Sequence, residues 1–562
     1  MELGDDCLHT RLAPYLQFTT SSFSPEAFQC AENWLTTCTQ SHERRSVRSE
    51  YLPSRLLDVS ADNPRIVLRS EVPGNTGYLA LSYCWGSAKH LTTKKATLEQ
   101  YRSASGIPLR DFPKTILDAV TVTRRLGFRY LWVDSLCIIQ DDEDDWIDES
   151  TDMGKIYHNA DTVIAATVAA SAAEGFLRGR PAYNEGVVSV SSKASSVITA
   201  RYRIYPEEND PEPLDTRGWA YQERILSRRY LSFGKYQMQW SCKEGVLWES
   251  GESFCGPKRL LGLLIDELPD DHISLWRYVL GEYFEMKLSR TSDNLVALSA
   301  VASRFQSLFG GTYMAGIWKE ELMSELQWQS FPEKPQRYNT PEPSYAPTWS
   351  WASVIGRKSH YYEWTEERED LAEFVDASVI LRTNNPFGPV RDGTWIKLRG
   401  KLFGATISLG QNGMFCLKLD GYNHDTDLDL DMEVAPFSPD LKGEGGQIAK
   451  EKQVYARRIT TEEIRNGKGS HDEADGDIKN NGTNGKAETA KAERPVLRAF
   501  ALPLCSGMIP REDLRGVDLL VLGPSGSILG CFERLGKCSF RLPAPKFGNF
   551  IRHHEDQEVF LV

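Results

Sequence analysis

Three short apolar runs, separated by segments with helical spacing, constrain the fold of this chain more than any other feature. Residues 78–85, 130–139 and 162–170 read YLALSYCW, YLWVDSLCII and TVIAATVAA, which predicts three buried strands. Between the first two runs, Ile116, Val120 and Leu126 fall on one helical stripe that Gly127 ends, and residues 146–160 predict a second helix. Continuously apolar strands alternating with amphipathic helices indicate an α/β fold with a parallel sheet covered on both faces.

The pattern of apolar and polar residues changes after this segment. A helix is predicted near residues 219–226 and a hairpin near 230–233 and 237–242, while residues 258–330 have a mostly helical pattern. From residue 395 onward, short β-branched or alternating runs separated by turn residues predict strands. We therefore expect four regions: an irregular or helical region at 1–60, an α/β domain at 61–250, a helical and aromatic-rich extension at 251–385, and a β-rich region at 386–562. Residues 461–494 contain almost no large apolar side chains, which predicts a disordered insert within the last region.

Charge and cysteine usage exclude several classes of protein. The formal net charge is −13, which disfavours nucleic acid as a partner because such a surface repels phosphate. Eleven cysteines are spread without tight pairing, which is typical of reduced thiols inside the cell. The first residues show no signal peptide, and no stretch approaches the roughly 18 apolar residues needed to span a bilayer. These features predict a cytoplasmic protein without a membrane span.

Four sequence blocks carry a resemblance to a known family. In order along the chain they are YLALSYCWG, FPKTILDAVTVTRRLGFRYLWVDSLCIIQDDEDDW, MGKIYHNA and RGWAYQERILSRR. They resemble the diagnostic blocks of the fungal heterokaryon incompatibility (HET) domain, and similar flanking strings extend the resemblance to about residues 30–355. The β-rich tail lies outside it.

The resemblance implies a function and leaves the chemistry open. HET domains are implicated in non-self recognition between fused fungal cells and in programmed cell death, so a self-associating or partner-binding signalling module is implied. The family is also proposed to be distantly similar to Toll/interleukin-1 receptor (TIR) domains, some of which cleave NAD with a helical glutamate. By that likeness Glu149 is the candidate catalytic residue, Trp146 a candidate wall for the nicotinamide ring, and NAD a substrate rather than a cofactor. The alternative for Glu149 is a solvated carboxylate in the acid-rich stretch DDEDDWIDE.

Polar residues at the ends of predicted strands supply candidate ligand contacts. Ligands of open α/β sheets bind beyond the carboxyl ends of the strands, which here points to Ser82, Tyr83 and Trp85 after the first run. Asp134 and Ser135 interrupt the second run, where a carboxylate is costly unless it is paired or belongs to a site. The alternative for Asp134 is a structural carboxylate that accepts a hydrogen bond from a nearby amide.

Arg217 completes the candidate set, since a guanidinium binds phosphate or carboxylate groups and a nucleotide is one ligand class that fits. The alternative, which we favour from sequence, is a structural ion-pair network of Arg217 with Glu223.

Cys84 and Cys137 lie in predicted buried runs, where cysteine packs as a small hydrophobe. Cys38 and His42 alone are too few ligands for zinc, and we predict no metal site and no bound cofactor. Phosphate-binding glycine loops, G-x-S-x-G and H-E-x-x-H are absent from the sequence, which excludes the common motif-bearing ATPases, hydrolases and metalloproteases.

Overall fold

The structure, a computed structural model, divides into two compact units, Met1–Gly310 and Gly311–Val562. It describes residues 19–41, 51–74, 76–87, 91–181, 184–191, 197–204, 211–251, 253–254, 272–331, 346–354, 357–360, 366–409, 415–420, 428–429, 496–508, 514–525, 531–543, 547 and 554–562. The predicted disordered insert at 461–494 lies outside these residues. Among the described helices, none combines the length and the apolar character that crossing a membrane requires.

The first unit contains eight helices and eleven strands within its described residues. The helices are α1 (Pro25–Ser41), α2 (Leu98–Arg102), α3 (Lys114–Arg125), α4 (Asp134–Cys137), α5 (Glu143–Asn159), α6 (Gly218–Ile225), α7 (His272–Phe284) and α8 (Val296–Phe309). The strands are β1 (Arg55–Asp58), β2 (Arg65–Leu68), β3 (Tyr78–Ser82), β4 (Tyr130–Trp132), β5 (Thr162–Ala165), β6 (Asn184–Ser191), β7 (Val197–Ile204), β8 (Arg229–Phe233), β9 (Met238–Cys242), β10 (Gly245–Trp248) and β11 (Ser253–Phe254).

Nine of these strands form one sheet in the order β11-β10-β9-β8-β5-β3-β4-β1-β2. The four central strands β8, β5, β3 and β4 are mutually parallel, which confirms the predicted parallel sheet. Antiparallel strands extend it on both sides, with β1 and β2 beyond β4 and the β9–β11 meander beyond β8. β6 and β7 pair separately as an antiparallel ribbon. The parallel centre arises because the chain returns through a helical segment after each of β3, β4 and β5.

Side-chain alternation along the central strands divides the core into two layers. In β3, Leu79 and Leu81 face one layer, which α1 and α3 cover. Tyr78 and Ala80 face the opposite layer, which α5 and α6 cover. The connection after β3 runs over one face through α3 to β4, and the connection after β4 runs over the other face through α5 to β5, on the far side of β3. The carboxyl end of β3 is therefore a topological switch point, where open α/β sheets bind their ligands.

The local predictions for this unit are largely confirmed, with one clear error. Helix α3 ends at Arg125, and Gly127, two residues later, has the positive φ of 79° that suits a glycine after a helix. The single strand predicted over residues 130–139 is wrong. The strand ends at Trp132, and Asp134–Cys137 form the helical turn α4. A short apolar run does not distinguish a strand from a buried helical turn, and Asp134 at its start favours the turn because its carboxylate accepts a local backbone hydrogen bond.

The second unit is β-rich, as predicted for residues 386–562, and its described strands begin earlier, at Tyr313. Its described elements are β12 (Tyr313–Met314), β13 (Ile317–Trp318), α9 (Leu322–Glu325), β14 (Trp328–Phe331), β15 (Arg357–His360), β16 (Glu366–Asp370), β17 (Ala372–Ser378), β18 (Trp395–Lys401), β19 (Phe403–Leu409), β20 (Phe415–Leu419), β21 (Leu428–Asp429), β22 (Val496–Met508), β23 (Leu514–Pro524), β24 (Phe532–Pro543) and β25 (Asp556–Leu561). The main sheet runs β17-β18-β25-β24-β23-β22-β19-β20-β21, with β16 also paired to β22. Aliphatic residues such as Leu519 and Val521 of β23 form its core.

Candidate functional site at the carboxyl edge of the sheet

Six of the predicted site residues lie at the carboxyl ends of β3 and β4 or contact them. Because Ala80 of β3 pairs in parallel with Trp132 of β4, both strands leave the sheet at the same edge. Residues 82–85 follow one strand, and Asp134 and Ser135 follow the other. The structure thus brings together segments that are about 50 positions apart in sequence.

Asp134 is the centre of a hydrogen-bond network at this edge. The indole Nε1 of Trp85 donates to its Oδ2 at 2.7 Å, and the amide of Ser135 donates to its Oδ1 at 2.7 Å. The hydroxyl of Tyr83 donates to Ser135 Oγ at 3.0 Å. Burial raises the pKa of Asp134, and the charge of Arg217 and the Trp85 hydrogen bond oppose that rise. These contacts fix the carboxylate in one orientation.

Arg217, the residue directly before α6, extends its side chain into this network. Its Nη1 donates to the carbonyl oxygen of Tyr83, which holds the guanidinium at the end of β3. Its positive charge lowers the pKa of both Asp134 and Glu223, against the opposite effect of their burial. Arg217 therefore faces two carboxyl groups that reach the edge from different elements of the fold.

Glu223 is the residue whose importance the sequence understated. It is buried on α6, and the Ser82 hydroxyl donates to its Oε2 at 2.5 Å. Burial raises its pKa to about 7, while Arg217 and the Ser82 hydrogen bond act in the opposite direction. A carboxyl group with this pKa exchanges a proton near neutral pH, as a general acid or base must. The sequence could have indicated this role, because Glu223 lies three residues after Ala220 on the buried face of an amphipathic helix, where a carboxylate is unusual.

The neighbours of Glu223 on α6 have structural surroundings. Trp219 donates its indole hydrogen to Asp293 Oδ2 at 3.1 Å, and Gln222 is buried. His158 places Nδ1 at 3.1 Å from the carbonyl oxygen of Leu226, the residue that ends α6. These contacts orient α6, and with it Glu223, against the sheet.

Glu149 lies in a second charged cluster, on α5. It is buried and pairs with Arg55 of β1 at 3.3 Å. Arg55 also contacts Asp145 at 2.6 Å, and its Nε donates to the carbonyl oxygen of Cys137 at 2.5 Å. Burial raises the pKa of Glu149, and Arg55 is among the groups that lower it. Trp146, three positions earlier, is 37% exposed, so the helix directs these two candidate residues into different environments.

The buried thiols near the edge are poor nucleophiles. Burial raises the pKa of Cys84 to about 11 and that of Cys137 to about 12, so both carry their protons at neutral pH. Within the described ranges, no group of three or more His, Cys, Asp or Glu side chains could hold a metal ion. His42, which the sequence paired with Cys38, lies outside the described residues.

The geometry first defines a class of protein. A central parallel sheet is covered by helices on both faces, and charged side chains converge at the carboxyl end of its switch-point strand, which is the arrangement of α/β domains that bind ligands or partners at that edge.

The family follows from comparison with known proteins. Residues 78–223, about a quarter of the chain, match the family model described as heterokaryon incompatibility protein (HET). The match begins at the first residue of β3 and ends at Glu223, and is shorter than the resemblance expected from sequence over residues 30–355. Comparisons with curated proteins and with solved structures found no match.

Proposed function

We propose that this protein is a cytoplasmic effector of fungal heterokaryon incompatibility, whose HET domain self-associates or binds a protein partner and thereby triggers cell death. The observation that carries the proposal is the HET match over residues 78–223, which indicates an incompatibility-related function. The matched segment contains β3, β4 and β5 and the polar edge around Arg217. In this function, the partner or the second copy binds at this edge of the sheet.

Expression in a filamentous fungus tests this function. Wild-type protein is expected to arrest growth or kill cells, and Arg217→Gln is expected to weaken the effect because it removes the charge that faces Asp134 and Glu223. Arg110→Gln is the matched control, since the Arg110 side chain is 85% exposed. Light scattering of the purified full chain over a dilution series reports self-association. Normal growth at full expression, with a monomer at every concentration, would contradict the proposal.

A TIR-like NAD glycohydrolase is the second candidate function. Two buried carboxyl groups with raised pKa, Glu149 and Glu223, support it, since cleavage of a glycosidic bond develops positive charge on the sugar that a nearby carboxylate stabilises. Glu223 adds to the candidate residue given by the TIR likeness. In this function NAD would occupy the carboxyl edge as substrate, and its depletion would be the toxic output.

NAD turnover by the purified chain distinguishes the two functions and the two carboxylates. Glu149→Gln and Glu223→Gln are compared with wild type and with Asp148→Asn, a control because Asp148 is exposed on the same helix as Glu149. Loss of turnover in one glutamine variant alone assigns the catalytic carboxylate. Stable NAD at the highest protein concentration would refute the enzymatic function and leave the signalling function standing.

A further inference from the structure

Two cysteines that are distant in sequence meet where β8 begins, at the edge of the sheet opposite the carboxyl ends of the parallel strands. Cys38 lies in the last turn of α1, and Cys242 is the last residue of β9, against which α1 packs. Both side chains are buried, with 4% and 8% of their surface exposed, and their thiols are hydrogen-bonded to each other. The structure holds both as free cysteines.

Arg229 completes this group of side chains. It pairs directly with Cys242 in the β8–β9 register, and its Nε donates to the Cys38 sulfur at 3.4 Å. The guanidinium is itself fixed, because Nη1 donates to the carbonyl oxygen of Asp161 at 2.9 Å. A positive charge is thus held beside the Cys38 sulfur, where it lowers the pKa of that thiol against the larger effects that raise it.

The local hydrogen bonds determine which sulfur carries the negative charge. The Cys38 thiol and the backbone amides of Glu244 and Gly245 lower the pKa of Cys242, whereas hydrogen bonding to Cys242 and burial raise the pKa of Cys38. Because the pKa of Cys242 is held below its usual value and that of Cys38 above it, we assign the nucleophilic thiolate to Cys242 and the retained proton to Cys38. Cys30 lies on the same helix, α1, but burial raises its pKa to about 12.

We propose that Cys38 and Cys242 form an oxidation site, at which a peroxide converts the dithiol to a disulfide that ties α1 to β9. The Cys242 thiolate attacks one peroxide oxygen, so that an S–O bond forms, the O–O bond breaks and water leaves after protonation. The Cys38 sulfur then attacks the sulfenic sulfur, the S–S bond forms, and the hydroxyl leaves as water with the Cys38 proton. Two thiols and one hydrogen peroxide thus give one disulfide and two waters.

The disulfide would close a loop from residue 38 to residue 242, which spans the whole matched domain. Cross-links that close long loops stabilise a fold by restricting its unfolded state. The oxidised chain would hold α1 against the sheet under conditions in which the reduced chain releases it. This device is independent of the proposed function, because it changes the stability of the first unit whether that unit signals or cleaves NAD.

The test uses the purified, fully reduced chain and hydrogen peroxide. Thiol titration after denaturation is expected to fall from eleven to nine, and non-reducing peptide mapping is expected to find the Cys38–Cys242 cross-link. The thermal midpoint should rise and return on reduction with dithiothreitol. Cys30→Ser, a substitution on the same helix, should fall from ten thiols to eight and show the same cross-link and the same reversible rise of the thermal midpoint. Eleven remaining thiols, or a cross-link between other cysteines, would overturn the proposal.

A second variant tests the peroxide step at Cys242 separately from disulfide formation. In Cys38→Ser the hydroxyl keeps a hydrogen-bond donor beside Cys242 but cannot form a disulfide, so peroxide should leave a sulfenic acid at Cys242 that dimedone traps. Labelling of Cys242 in this variant, but not in wild type, is the expected result. No labelling at Cys242 in either protein would show that this thiol is unreactive and would refute the mechanism.

Discussion

Replacing Glu223 with glutamine should change how the stability of the first unit, Met1–Gly310, depends on pH. In the folded protein the pKa of this carboxyl is raised from 4.5 to about 7, with burial as the main cause. In the unfolded chain the carboxyl ionises near 4.5, so between these two values unfolding releases a proton. The free energy of unfolding therefore falls as pH rises through this window, and the full loss is about 3 kcal/mol above pH 7. Glutamine keeps the acceptor for Ser82 and stays neutral throughout.

Urea unfolding at pH 5 and pH 8, followed by tryptophan fluorescence, measures this effect on the full chain. The free energy of unfolding of Glu223→Gln minus that of wild type should increase by about 2–3 kcal/mol from pH 5 to pH 8. Taking the difference removes the contributions of the other titrating groups that both proteins share. Glu143→Gln, an exposed substitution on α5, should show no comparable change between the two pH values.

A pH-independent difference between Glu223→Gln and wild type would refute the reasoning. It would mean that Glu223 is already ionised in the folded protein at pH 5. The guanidinium of Arg217 would then outweigh the cost of burial, and the proton-exchange role suggested for Glu223 would lose its basis.

Three further perturbations address packing and the charged clusters. Arg55→Met should cost about 3 kcal/mol because it leaves the buried Glu149 carboxylate unpaired, and adding Glu149→Gln should recover much of that loss in urea unfolding. Gly154→Ala should lower the thermal midpoint, since its Cβ would lie 2.3 Å from a side-chain carbon of α8, whereas Gly281→Ala, with open space around it, should stabilise by up to about 1 kcal/mol. Trp85→Phe should cost about 1–2 kcal/mol in urea unfolding and raise the pKa of the carboxyl that loses its indole donor, which carboxyl-selective NMR titration measures. Equal effects of the two glycine substitutions would show that the helix contact is not close.

The central architecture could be predicted because its signals are local. The apolar runs of β3 and β5 and the helical stripe ended by Gly127 are readable from a few adjacent residues, and all three are present in the structure. The sequence did not predict that β8 belongs to the parallel sheet. The pattern indicated only its hairpin with β9, and it does not reveal that the other edge of β8 pairs with β5. Pairing partners on the far side of a strand are set by tertiary packing.

The site was predicted in part for the same reason. The polar residues that follow β3 and β4 stand out against apolar runs, and the convergence of Ser82 and Asp134 at one edge follows from parallel pairing. The partners that set their chemistry did not stand out. Arg55 is 94 positions from Glu149, and Ser82 is 141 positions from Glu223, so only the folded chain shows that each pair is in contact.

The strand order has a practical consequence for anyone who would produce the domain by itself. Boundaries drawn at residues 78 and 223 retain β3, β4 and β5, but they remove β1 from one side and β8 from the other. Both flanks of the remaining sheet would then present unpaired backbone amides and carbonyls next to apolar side chains, which invites intermolecular strand pairing. Recombinant fragments that begin before β1 and extend through β9 should stay dispersed at concentrations where the shorter fragment precipitates.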